Sequence, residues 1–238
     1  MGAGSRRRDP VLEKEVRVDV RVPVRWLAVG VAGLLFASCS GSTPAIPTGE
    51  ELEGAMLVGG DYQGVWSVAG PAEGALDLCD EASAESRAAA ETLQWKASRH
   101  LDLAAEDPIE PPDDREGHMV GVEEFLNSGD PDEIEATFGL LREGMQACLG
   151  DFPADEEGPA TAEEMTIPDV GDDRYGVLVL MEEAGGWAEW RMHAALVRRG
   201  PVLMLLNVLD IRAGEGVEPY FTVEEVGGML ETAVDKLP

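Results

Sequence analysis

Hydrophobic positions along residues 131–149 fall on a single stripe. Ile134, Phe138, Leu141, Met145 and Cys148 recur at intervals of four, three, four and three, which keeps them on one face of an α-helix. Asp130 precedes them as an N-cap, and Pro131 takes the first helical position, where its missing N–H costs nothing. Asp132, Glu133 and Glu135 suit the positive end of the helix macrodipole. Gly150 is placed to end the helix, and the stripe sets Cys148 on the buried face. A second stripe, Val223, Val226, Leu230, Ala233 or Val234 and Leu237, follows Thr222, with Glu225 three residues on to complete a capping box. Gly227 and Gly228 weaken that helix by about 1–2 kcal/mol against two alanines, so close packing on a sheet is their expected role. Shorter helical patterns cover residues 50–57 and 80–93, the latter with Ala82, Ala89 and Leu93 inward.

Alternation with period two marks the strands. Residues 62–68, 95–103 and 118–125 read as strands in the first half. Three more, 174–182, 187–198 and 201–212, follow in quick succession, separated by Gly185-Gly186 and Arg199-Gly200, and predict an antiparallel meander. In the middle one Ala188, Trp190, Met192, Ala194 and Leu196 share a face, with Glu189, Arg191 and His193 on the other, which reads as one buried and one wet side. Residues 202–206 are apolar throughout, as in a strand covered on both faces. Residues 106–114, interrupted by three prolines, and the acidic stretch 151–164 read as loops. These patterns predict an α+β fold, an antiparallel β-sheet with amphipathic helices packed on it.

The N-terminal segment follows a different logic. Seven basic residues precede a 13-residue apolar run at 26–38, too short for the roughly 20 residues a spanning helix needs. Basic stretch, apolar core and small residues make a secretory signal. Cys39 after Ala37-Ser38 resembles the lipobox of bacterial lipoproteins, which implies a lipidated Cys39 as the first mature residue. Phe36 departs from that pattern, since the family usually has Leu three positions before the Cys. The organisation expected is a signal peptide over 1–38, lipidated Cys and flexible linker over 39–50, and one domain over 51–238.

Removing 1–38 takes away seven of 18 basic and four of 47 acidic side chains, leaving 11 and 43 and a net charge near −32. Such a surface repels phosphate-rich partners, so nucleic acid is excluded and the membrane is met through the lipid only. Cys79 and Cys148 remain as an even pair in an oxidising setting, which favours a single disulfide; two buried free thiols are the alternative. Sparse lysine against fifteen arginines suggests a high-GC bacterial source.

The order of elements resembles the extracytoplasmic sensor-like domain of actinobacterial receptor serine/threonine kinases of the PknH type, found also in free-standing lipoproteins. The matching residues are Ala55-Met56-Leu57-Val58 leading to Gly64-Val65-Trp66, Cys79 before a helix, and Val120-Gly121-Val122 leading to a helix that ends Gly144-Met145-Gln146-Ala147-Cys148. The hairpin Val197-Arg198-Arg199-Gly200-Pro201-Val202 and a terminal helix ending Ala233-Val234-Asp235-Lys236-Leu237 complete it. The resemblance covers most of residues 50–238. It implies an α+β fold with a cleft suited to a ligand and carries over no catalytic residues. The chain departs from the kinase sensors in having no kinase domain and one candidate disulfide rather than two.

Motifs for catalysis are missing. His100, His118 and His193 are too scattered for a zinc site, no Gly-x-Ser-x-Gly elbow or phosphate loop occurs, and no Asp-x-Asp-x-Asp-Gly calcium loop accompanies the acidic pairs. No catalytic residue, metal or cofactor is expected. Trp66, Trp187 and Trp190 are the candidate ligand contacts, being tryptophans on or beside strands in a chain with 5% aromatics. The reading is a non-enzymatic envelope lipoprotein binding a small molecule or an envelope protein. The alternative is an accessory protein that modulates an envelope enzyme through its acidic surface.

Overall fold

The computed structural model describes residues 45–61, 66–72, 76, 78–103, 117–152, 158–182, 188–213 and 218–238. Cys39 and the linker as far as residue 44 therefore lie outside the described residues, as does Trp187, while the last two residues of the expected linker, Gly49 and Glu50, are already helical.

Helix α1 (Gly49–Ala55) begins at a capping box in which the Thr48 side chain accepts the Glu51 amide and Glu51 accepts the Thr48 amide. Helix α2 (Ala84–Thr92) is capped by Ser83. Helix α3 (Pro131–Ala147) starts at Asp130 as expected and buries Ile134, Phe138, Leu141 and Met145. Helix α4 (Val223–Lys236) carries the predicted Thr222–Glu225 box. The helices contribute little alone at these lengths and are held by their apolar faces.

Eight strands form one antiparallel sheet: β1 (Trp66–Gly70), β2 (Ala97–Leu103), β3 (Gly117–Ser128), β4 (Gly150–Phe152), β5 (Ala160–Glu164), β6 (Asp173–Glu182), β7 (Ala188–Arg199) and β8 (Val202–Ala213). Their order is β1-β2-β3-β8-β7-β6-β5-β4. Two meanders, β1 to β3 and β4 to β8, thus meet along one seam, where β3 pairs with β8 from Ser128↔Val202 to Gly117↔Ala213.

Each face of the sheet has its own core. On one, α1, α4 and the partly buried Ile167 and Val170 cover Val122, Leu126, Ala195, Val197, Met204 and Leu206. On the other, α2 and α3 cover Phe125, Ala194, Leu196, Leu203 and Leu205. Residues 202–206 are wholly buried because β8 lies between both layers, and each large side chain there contributes about 1.5–3 kcal/mol of burial. The predicted α+β class and antiparallel meander are both present.

Several expectations change. The supposedly wet side of β7 is buried: His193, Ala195 and Val197 are at most 1% exposed, since α1 and α4 close a second layer that a period of two cannot reveal. The stretch 151–164 is not all loop, because β4 and β5 form the sheet margin there. Their exposed Asp151, Glu163 and Glu164 are the charged residues that blunt edge strands. Gly150 opens β4 and does not cap α3, which ends at Cys148.

Cys79 and Cys148 are bonded, with Cα atoms 5.6 Å apart. Cys148 sits half-buried at the C-cap of α3 and not within the packed stripe. Gly144 takes the tight position instead. A Cβ there would stand 2.5 Å from Leu78 and 3.0 Å from Ser86, so its bare backbone lets α3 approach α2.

Candidate functional site

On their face, α2 and α3 cover only one end of the sheet. At the other end Met119 is 53% and Trp190 36% exposed, while the opposite face of the same strands buries Val120, Val208 and His193 to 3% or less. One half of one face thus lacks a helical layer among the described residues.

Strand register decides what this open half presents. Met119, Ile211, Trp190 and Met181 stand side by side across β3, β8, β7 and β6. The next row on the same face is Gly121, Leu209, Met192 and Val179. Leu209, Met192, Val179 and Met181 are half-buried. Three methionines in one patch give an apolar surface that can adapt its shape.

The polar border comes from β2 and β3. His100 lies between two carboxylates, with Nε2 2.8 Å from Asp102 Oδ1 and Nδ1 3.2 Å from Glu123 Oε1. Asp102 pairs with Gly121 and His100 with Glu123 across the strands. A Cβ at Gly121 would stand 3.2 Å from His100 Nε2, so this glycine lets the imidazole lean over β3 toward the patch. Asp102, His100 and Glu123 are all half-buried, so their polar edges reach solvent beside the apolar rows.

Two of the three predicted tryptophans, Trp66 and Trp190, do not converge. Trp190 belongs to the open patch. Trp66 lies on the opposite face, half-buried and stacked on Phe221 at 6.2 Å between ring centroids. Trp187 lies outside the described residues. Sequence reasoning missed Met119, Ile211, His100, Asp102 and Glu123, which come from strands distant in the chain. The alternation of β3 and β8 assigns these residues to faces, but only the β3–β8 pairing brings them beside Trp190.

Two other assemblies are less open. Beneath residues 220–221, Asp210 accepts the Tyr220 amide at 2.6 Å, and Glu189 binds Arg212 and lies 3.6 Å from Arg191. His193 in this layer is fully buried. Burial, then the charge of Arg191, holds its pKa below the ordinary histidine value. A buried neutral imidazole with no opening to it is a packing element and no candidate acid or base. Between α2 and α3 runs a shallow groove of about 670 Å3, lined by residues that include Thr92, Trp95, Lys96, Asn127 and Leu140. Among the described residues no group of three His, Cys, Asp or Glu side chains is placed to hold a metal ion.

No family model matches the chain, and no curated protein matches it. Among solved structures, the extracellular domain of PknH from Mycobacterium tuberculosis superposes with a TM-score of 0.51 at 14% identity, over 81% of this chain and 97% of that one. LpqN of M. tuberculosis, described as involved in cell envelope biogenesis, superposes with a TM-score of 0.25 at 8% identity over 74% and 82% of the two chains. A norcoclaurine synthase mutant from Thalictrum gives 0.26 at 10% identity over 52% and 96%. The first of these shows a fold shared with that extracellular domain, and the other two carry no argument.

Proposed function

We propose that this chain is an envelope lipoprotein, anchored through Cys39 on the extracytoplasmic side, whose domain binds a ligand without catalysis on the open half of its sheet. The observation that carries the reading is the half-face left without a helix, where exposed Met119 and Trp190 flank buried Ile211. A contiguous apolar surface of this kind, rimmed by polar groups, marks a binding site. The disulfide supports an oxidising compartment. Likeness in fold to an extracellular domain supports the same placement. No constellation of nucleophile, base and oxyanion donors occurs among the described side chains, and recognition is what the patch is built for.

Methionine methyl groups report on this directly. With methyl-labelled methionine, an envelope extract containing the ligand should shift Met119, Met181 and Met192 and leave the buried core probes Met204 and Met229 in place. Shifts confined to other methyls, or none with any extract, would refute the site. The acidic exterior supports a second reading, an accessory protein for a basic envelope enzyme. Binding in that case would weaken steeply with salt and leave the three methyls unmoved.

A further inference from the structure

The open half-face is asymmetric in charge. The row of Gly121, Leu209 and Met192 ends on β2 at Asp102, and the next row on the same face carries Glu123 opposite His100, whose ring lies between the two carboxylates. Each carboxylate gives one oxygen to the imidazole and has a second. No lysine or arginine of the eight strands falls on this half. Arg191 and Arg212, the basic residues nearest along β7 and β8, have the opposite parity and lie on the other face. An anionic head group beside the apolar rows would meet two carboxylates and, among the described residues, no arginine or lysine. A neutral donor would gain hydrogen bonds to the carboxylates alone, whereas a cationic donor adds the attraction of opposite charges to the same bonds. Resting on the ligand-binding reading above, we propose that the site takes an amphiphile with an apolar body over Met119, Ile211 and Trp190 and a cationic head, an ammonium or guanidinium, at Asp102 and Glu123.

Three probes of one chain length separate the possibilities: octylammonium, octyl glucoside and octanoate, each below its micelle concentration. Binding to the full chain is read from the Met119 and Met192 methyl shifts. The ammonium is expected to bind at least about tenfold tighter than the glucoside, with octanoate weakest. In Asp102→Asn/Glu123→Gln the ammonium should fall to the glucoside's affinity, while Trp190→Ala weakens all three. Control replacement of two exposed acids elsewhere, Asp132→Asn/Glu224→Gln, should change nothing. Should the double variant fail to fold, Glu123→Gln alone should still cut the preference at least threefold. Equal binding of ammonium and glucoside at the patch overturns the head-group assignment and leaves the site standing. So does an ammonium preference that survives the Asp102/Glu123 variant, since it would belong to the acidic exterior at large. If no probe moves the patch methyls, the binding site itself fails.

Discussion

Glu124 holds Leu57 by its amide, with Oε2 accepting the N–H at 2.7 Å in a site only 1% exposed. Arg99, opposite Glu124 on β2, donates to the carbonyl of the same Leu57 at 2.7 Å. Together they satisfy both polar groups of one residue that no strand pairs. Asp61 accepts the Val58 amide and binds Lys236 of α4, so charged side chains from three elements clamp the segment after α1.

Burial, opposed by the Leu57 hydrogen bond and the charges of Arg99 and Lys236, pushes the Glu124 pKa up to about 7. A folded-state pKa above the unfolded value means that the folded state binds the extra proton. This contribution to stability is therefore fully present below about pH 4.5 and is lost as pH rises through 7. Between pH 5 and pH 8 it should amount to about 2–4 kcal/mol. Urea unfolding of Glu124→Gln against the parent chain checks this: the difference between them should shrink toward acid pH and grow toward alkaline pH. A difference independent of pH would show that Glu124 titrates elsewhere.

Breaking the Cys79–Cys148 bond should destabilise the domain by about 2–5 kcal/mol, since it closes a separation of 69 residues. Cys79→Ser/Cys148→Ser and the reduced parent protein should give the same lowered urea midpoint. A midpoint unchanged by reductant would contradict the bond's role.

Leu205→Ala removes a wholly buried side chain from β8 and should cost about 2–5 kcal/mol. Trp190→Ala, at the open patch, should cost about 1 kcal/mol or less and yet remove ligand binding. Paired thermal and binding measurements on the two variants separate support of the sheet from recognition; a Trp190→Ala loss as large as that of Leu205→Ala would place Trp190 in the core.

Gly121→Ala places a methyl group against the His100 ring, 3.2 Å from Nε2. The imidazole should turn away, breaking its contact with Asp102. His100 ring resonances should therefore shift in the variant while the chain keeps its fold, and unchanged resonances would mean that the glycine is not needed for the His100 pose.

Cys39→Ala should move the protein from the membrane fraction to the soluble extracytoplasmic fraction and abolish incorporation of labelled fatty acid. Unchanged fractionation would rule out the lipid anchor.

Local signals made the helices readable. Asp130-Pro131 and the Thr222–Glu225 box mark their starts because capping is settled within four residues. Strand β8 was readable for a similar reason, since an unbroken apolar run requires cover on both sides. The neighbours of β7 were not. Alternation separates Ala195 from Ala194 but says nothing about what lies over either, and α1 and α4, which cover the face that carries Ala195, come from opposite ends of the domain. Strands β4 and β5 escaped because edge strands carry acids that read as loop. Trp190 was legible as a candidate; its partners were not, because register across β3 and β8 is a property of pairing and not of either segment.

The seam between β3 and β8 runs through the proposed site. The carboxylates and His100 belong to the first meander, and Leu209, Ile211, Trp190 and Met192 to the second. Each meander can zip from its own hairpins, but the seam joins Ser128 to Val202 and Gly117 to Ala213, and such long-range closure is slow. A chain still lacking its last strand has half a pocket on each of two unjoined pieces. The proposed binding surface is therefore completed late, when the seam closes, and an incompletely folded molecule does not present it.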